Sequence, residues 1–157
     1  MSFAKAHNVG ALIKTLRAAA NTTGTAGSTG DNTEITGVTI DRLAASNPQS
    51  AVFAIPFTTT LAAGKSLIIK SATIEHGDAS DMSDAADIIT LESSTGTKIA
   101  THATGGTVAG CKEYDVDLAV CKRYVRIIFT PDLDATGTDT FALNAVAVLG
   151  GMDTNPA

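Results

Sequence analysis

The chain has 157 residues, 44% hydrophobic, 4% aromatic and 17% charged, with 16 acids against 11 bases for a net charge of −5. That length supports one domain with a real core, and the apolar fraction argues against global disorder. A general nucleic-acid binder would want a positive balance, a membrane span would need an apolar run of about 20 residues, and two cysteines are too few for a disulfide scaffold. The expectation is therefore no nucleic acid and no membrane among the partners.

The first 30 residues carry Lys5, Lys14 and Arg17 and no acid, so they are +3 against −8 for the remainder. Lys14 and Arg17 also interrupt any continuous apolar segment of signal-peptide type. Val9, Leu12, Ile13, Leu16 and Ala20 recur near i, i+3, i+4, i+7 and i+11, one stripe of an α-helix. Asn8 can cap its start, and the Gly- and Thr-rich run 21–30 stops it. A helix of about twelve residues is marginal alone in water. Its apolar stripe must find a surface, either its own domain or another chain. The predicted division is a helical arm with linker over 1–30, a β domain over 31–151 and a flexible tail over 152–157.

From Glu34 onward the period changes to two. Strand-like runs occupy 34–41, 49–55, 66–76, 86–92, 97–103, 112–118, 122–130 and 138–149, separated by Gly, Asp, Asn and Pro, which supply turns and break ladders. In the seventh run Val125, Ile127 and Phe129 share one face. Pro131 is expected to end that run, because it cannot donate to a central ladder. In the last, Phe141, Leu143, Ala145, Ala147 and Leu149 line one face, while Asn144, Val146 and Val148 line the other. That strand is expected to be covered on both sides. Eight strands without intervening helical patterns predict an all-β antiparallel sandwich, and a jelly roll fits the count.

Residues suited to catalysis do not gather into a motif. His7, His76 and His102 are isolated and read as solvent-facing; no nucleophile elbow, phosphate loop or CxxC pair is present. Asp78, Asp81, Asp84 and Asp87 form the densest carboxylate group. Oxygen-rich loops can hold Ca²⁺, but the spacing is not that of an EF-hand, and a solvated acidic loop is the simpler reading. Lys122, Arg123 and Arg126, beside Lys112, are expected to pair with acids such as Glu113 or Asp115 across a strand. Cys111 and Cys121 read as reduced, buried thiols, with a cross-strand disulfide as the alternative. Tyr114 and Tyr124 are the sole candidates for a sugar-stacking shelf, and Trp is absent. No catalytic residue, metal ligand or cofactor is predicted.

The stretch CKRYVRIIFTPDLDATGTDTFALNAVAVLGG (121–151) resembles the C-terminal part of small tailed-bacteriophage virion proteins. In these, a RYVR strand precedes an apolar strand ending in a Gly pair. SLIIKSATIEHGDASDMSDAAD (66–87) is similar to a strand leading into an acidic loop in the same proteins. The resemblance implies a capsid decoration (cement) protein or another minor head or tail component, jelly-roll-like and non-enzymatic. It implies the major capsid protein as partner, a homotrimer or dimer, and a place on the capsid surface of a virion assembled in the host cytoplasm. On that reading Phe3, Leu12, Ile13 and Leu16 anchor the arm, with Lys5, Lys14 and Arg17 at its rim. The alternative function is a tail- or fibre-associated module that recognises a host surface glycan.

Overall fold

The computed structural model describes residues 9–135 and 137–153. Among them are one 3-10 turn, Val9–Ala11, and ten strands. These are β1 (Lys14–Thr25), β2 (Ile35–Thr36), β3 (Ile40–Asp41), β4 (Ser50–Leu61), β5 (Lys65–Gly77), β6 (Ala86–Glu92), β7 (Thr97–His102), β8 (Gly106–Asp117), β9 (Tyr124–Leu133) and β10 (Thr140–Gly150). One sheet runs β1-β10-β4-β8, and the other runs β2-β9-β5-β6 with β3 also on β9 and β7 also on β5. All of these pairings are antiparallel.

β2 and β3 pair successive stretches of β9, and β6 and β7 pair successive stretches of β5. Each duo is therefore one interrupted strand. The chain makes two four-lane sheets, with lanes 1-8-3-6 facing lanes 2-7-4-5, which is the strand order of a jelly roll. The core lies between the sheets. Phe53, Ile55, Leu67, Ile69, Ile74, Val125, Ile127, Phe129 and Leu149 are fully buried there, each side chain stabilising by about 1.5–3 kcal/mol.

Four expectations change. Residues 14–25 form a strand of twelve, not a helix. β1 pairs β10 from Lys14↔Leu149 to Thr25↔Thr140, and covers an edge that fully buried Ala145, Ala147 and Leu149 would otherwise expose. An isolated helix gains no comparable partner, so the ladder overrides the 3.6 period. Bulges between Arg17 and Ala19 and between Ala19 and Thr22 turn consecutive Ala18 and Ala19 inward. Those bulges bend the alternation into something that mimics a helical stripe.

The run 21–30 is not a linker. It finishes β1 and turns at Gly27, whose φ of 66° suits glycine. A Cβ on Gly24 would collide with the Phe141 ring. At the other end, Asp153 is tied down, its N–H donating to the Ser46 carbonyl (3.0 Å) and its carboxylate accepting from Asn47 (2.9 Å). Residues 154–157 of the expected tail lie outside the described residues.

β9 continues through Pro131 to Leu133. The Pro131 carbonyl accepts from the Asn32 N–H at 3.0 Å, so the missing N–H also lies on that flank, where short β2 has already given way to a loop. The ladder to β5 does not need it, and a bulge between Ile69 and Ser71 absorbs the irregularity.

The expected break at 93–96 is present, but it does not reverse the chain. β6 and β7 run on along the same edge of β5, so 86–102 counts as one lane. The predicted number of lanes thus came out at eight by counting this one twice and omitting β1.

Gly37 interrupts the β2–β3 lane for a reason. Its N–H donates to the Ile127 carbonyl on β9 (2.8 Å), and the Val38 N–H donates to the Ala18 carbonyl on β1 (2.7 Å). Two consecutive residues thereby stitch one sheet to the other. A Cβ at Gly37 would collide with the carbonyl oxygens of both Ile127 and Ala18.

Candidate functional site

Polar side chains near the core are committed to architecture. Arg42 is buried without a carboxylate; its Nη1 donates to the Cys121 and Lys122 carbonyls and its Nη2 to that of Pro48 (3.0 Å). It clips the 41–48 loop onto the loop before β9. Glu92 accepts from Tyr114 Oη (3.2 Å) and Thr97 Oγ1 (2.7 Å) and pairs with Lys112 (3.3 Å), closing the sandwich beside β8. Burial and the Glu92 charge push the Tyr114 hydroxyl far above its ordinary pKa. That tyrosine faces inward, while Tyr124 lies under the Arg123 guanidinium (4.9 Å) on the other sheet. The two rings form no common shelf.

The acidic loop is held by its own backbone. Asp84 accepts from the N–H groups of Asp78 (2.8 Å) and Ala79 (3.0 Å), and Asp81 accepts from that of Ser83 (3.0 Å). These hydrogen bonds hold both carboxyls below their ordinary pKa. Lys122 neutralises the loop by pairing with Asp78 (3.0 Å) and Asp84 (3.7 Å). Among the described residues no group of three or more His, Cys, Asp or Glu is arranged to hold a metal ion.

The expected pairing of the basic group with Glu113 or Asp115 does not occur. Lys112 takes Glu92, Arg123 takes Asp41 (2.8 Å) and Arg126 takes Glu75 (2.7 Å). The reason is register: Arg126 lies directly opposite Glu75 on β5, whereas Glu113 and Asp115 lie on β8 in the other sheet. Both thiols are free, and Cys111 is exposed on β8 while Cys121 is buried. Desolvation raises the pKa of each, so neither is an activated nucleophile. His76 is part of the scaffold, its Nδ1 accepting from the Lys122 N–H at 3.2 Å. His102 Nδ1 is buried without a partner, contrary to a solvent-facing role.

Two surfaces remain with uncommitted side chains, and they share β1. The first is a cleft of about 270 Å³ along the β1 edge, lined by Lys14, Leu16, Arg17, Val38, Ile40 and Ala44 among others. Leu12, Val38 and Leu43 are exposed. The second is the outer face of the β1-β10-β4-β8 sheet. Its centre is small and apolar: Val146 and Val148 on β10 lie against Ala54 and Val52 on β4, and shallow hollows of about 490 and 360 Å³ lie towards its ends. Ile13 lines the larger one.

Of the predicted contact residues, Phe3 and Lys5 lie outside the described residues, as does His7. Lys14, Leu16 and Arg17 meet in the edge cleft, and Ile13 joins the outer face. Lys14, Leu16 and Arg17 do so from a strand and not from a helix, with Ile13 just before it. Leu16 is partly core, packed against the buried cluster. The β4 and β8 residues of the outer face were not among the predicted contacts, because face assignment on a strand depends on the partner's register.

No known protein-family description matches the chain, and no curated protein does. Among solved structures, the chain is similar to the infectious bursal disease virus Gx strain. The match is 14% identical with a TM-score of 0.44, over 91% of this chain and 33% of that one. The VP2 subviral particle of that virus is 13% identical with a TM-score of 0.40, over 87% and 32%. The Gt strain gives 13% and 0.41 over 87% and 31%. The chain spans about a third of the length of these viral chains.

Proposed function

We propose that this protein is a structural virion component of the decoration or cement type, which docks on a phage capsid through the β1 edge and bridges capsomers. One observation carries the docking reading. Among the described residues, every Lys and Arg other than Lys14 and Arg17 has an acceptor within the chain. The two uncommitted cations sit together on β1, beside exposed Leu12 and Val38. A cationic rim around apolar side chains suits an acidic protein surface, with the net-acidic body left outside to maintain solubility. The sequence resemblance over 66–87 and 121–151 supplies the phage setting. Binding would be the whole mechanism: association shifts a shell towards its assembled state, and many copies on a closed lattice add avidity to weak contacts. The major capsid protein is the proposed partner, and the virion surface the proposed location.

Because residues 14–25 are a core strand, deleting the N-terminal segment through β1 would unfold the sheet and report nothing about docking. Lys14→Glu with Val38→Ser is the informative variant. Mass spectrometry of purified particles should find wild type at a fixed ratio to the major capsid protein, and the variant reduced at least tenfold. Wild type absent from particles, or the variant present at full occupancy, would overturn the proposal.

A further inference from the structure

The outer face of the β1-β10-β4-β8 sheet has an order that points to its occupant. Cross-strand register sets its side chains in rows. One row reads Arg17, Val146, Ala54, Glu113 from β1 to β8, and the next reads Thr15, Val148, Val52, Asp115. Each runs from a basic or polar edge, through two apolar residues, to an acid. Among the described residues, Arg17, Glu113 and Asp115 have no ion-pair partner within the chain, whereas Lys98, Lys112, Lys122, Arg123 and Arg126 each have one. The buried neighbours Phe53, Ile55, Ala145 and Ala147 hold Val146, Val148, Val52 and Ala54 on the outward side.

We infer that this face pairs with the same face of a second copy, about a two-fold axis that runs along the strands between β10 and β4. Such a rotation exchanges the two edges of the sheet. It lays β1 of one copy over β8 of the other, so Arg17 meets Glu113 twice, once on each side of the axis. The apolar centre, Val146 and Val148 with Ala54 and Val52, meets itself. An axis perpendicular to the strands would instead stack β1 on β1 and Arg17 on Arg17, which like-charge repulsion disfavours. A self-complementary patch of this kind is what an isologous dimer requires. Aligned packing of two sheet faces suits short side chains such as Val, Ala and Thr. Cys111 lies opposite Pro56 on the same outward face as Glu113, two residues along β8. The exchange of edges would carry it towards the partner's β1 near Asn21, which lies on this face through its hydrogen bond to Asn144 (2.9 Å).

The pairing shares Arg17 with the proposed docking edge but needs no capsid, so its test uses the purified full chain with no particle. Sedimentation velocity should show a concentration-dependent dimer. Arg17→Glu and Glu113→Arg should each weaken dimerisation at least tenfold, and the two exchanges together should restore it, which general misfolding could not do. Under mild oxidation Asn21→Cys should form an intermolecular disulfide with the native Cys111. A monomer at every concentration, or no rescue by the double exchange, would overturn the pairing. A Cys111–Cys111 cross-link in the wild-type dimer would overturn the axis.

Discussion

Both sheets of this jelly roll contribute to the core, yet their outer faces are built differently. On the β9–β5 sheet several outward polar side chains satisfy one another, around Ile68 and Ile128. Arg126 binds Glu75 across the ladder, Ser71 donates to Thr130 (3.2 Å) and Lys70 to Asn32 (3.0 Å). On the β10–β4 sheet the central positions are Val, Ala and Pro, flanked by the Asn144–Asn21 and Thr60–Thr107 hydrogen bonds, with uncommitted charges at the edges. A polar face whose hydrogen bonds close internally has little to offer a partner, whereas apolar residues ringed by free charges do. This difference is why the second face is the one proposed to interact.

Substitutions on one strand give the sharpest test of that contrast. Leu149 points into the core and is fully buried, so Leu149→Ala should cost about 2–5 kcal/mol in urea denaturation. Its neighbour Val148 points outward, and Val148→Ser should leave monomer stability within about 0.5 kcal/mol while impairing self-association. Equal destabilisation by the two would mean the outer face is packed within the monomer. Gly37→Ala places a methyl against two backbone carbonyls that tie the sheets together, for an expected loss of about 1–3 kcal/mol. On the internally satisfied face, Arg126→Ala should cost below about 1 kcal/mol and leave sedimentation unchanged.

The smallest effect concerns pH. The Arg123 guanidinium, with backbone N–H groups of Ala44 and Leu43, holds the Asp41 carboxyl below its ordinary value of 3.8. A depressed pKa in the folded state contributes stability that is complete above the unfolded value and lost as pH falls through the folded one. The Tm gap between wild type and Asp41→Asn should therefore be open at pH 6 and close below 3.8. A gap that persists at pH 2 would show that Asp41 acts through shape and not charge.

Much of this fold is legible in the residues, and the failures have physical causes. Alternation over 86–92 and 138–149 gave strands within two residues of β6 and β10. β1 was hidden because its bulges turn Ala18 and Ala19 to the same side, breaking the period of two. Pro131 was misleading because the neighbouring lane is too short to demand its N–H. The uncommitted cations of the site were visible as charge segregation at Lys14 and Arg17. The acidic edge was not, since Glu113 and Asp115 join Arg17 on one face only through two intervening strands, β10 and β4. The alternation of the last strand already placed Val146 and Val148 on a second apolar face. In the chain by itself the inner face is buried and this outer one is only partly covered, which leaves the remaining cover to the proposed partner.

Hydroxyl-radical footprinting reads that assignment most directly, because it reports side-chain exposure on both sheets in one sample. As protein concentration rises, labelling of Val52, Val146 and Val148 should fall while that of Ile68 and Ile128, on the opposite face, stays constant. Constant labelling of both faces, or protection confined to Ile68 and Ile128, would contradict the account.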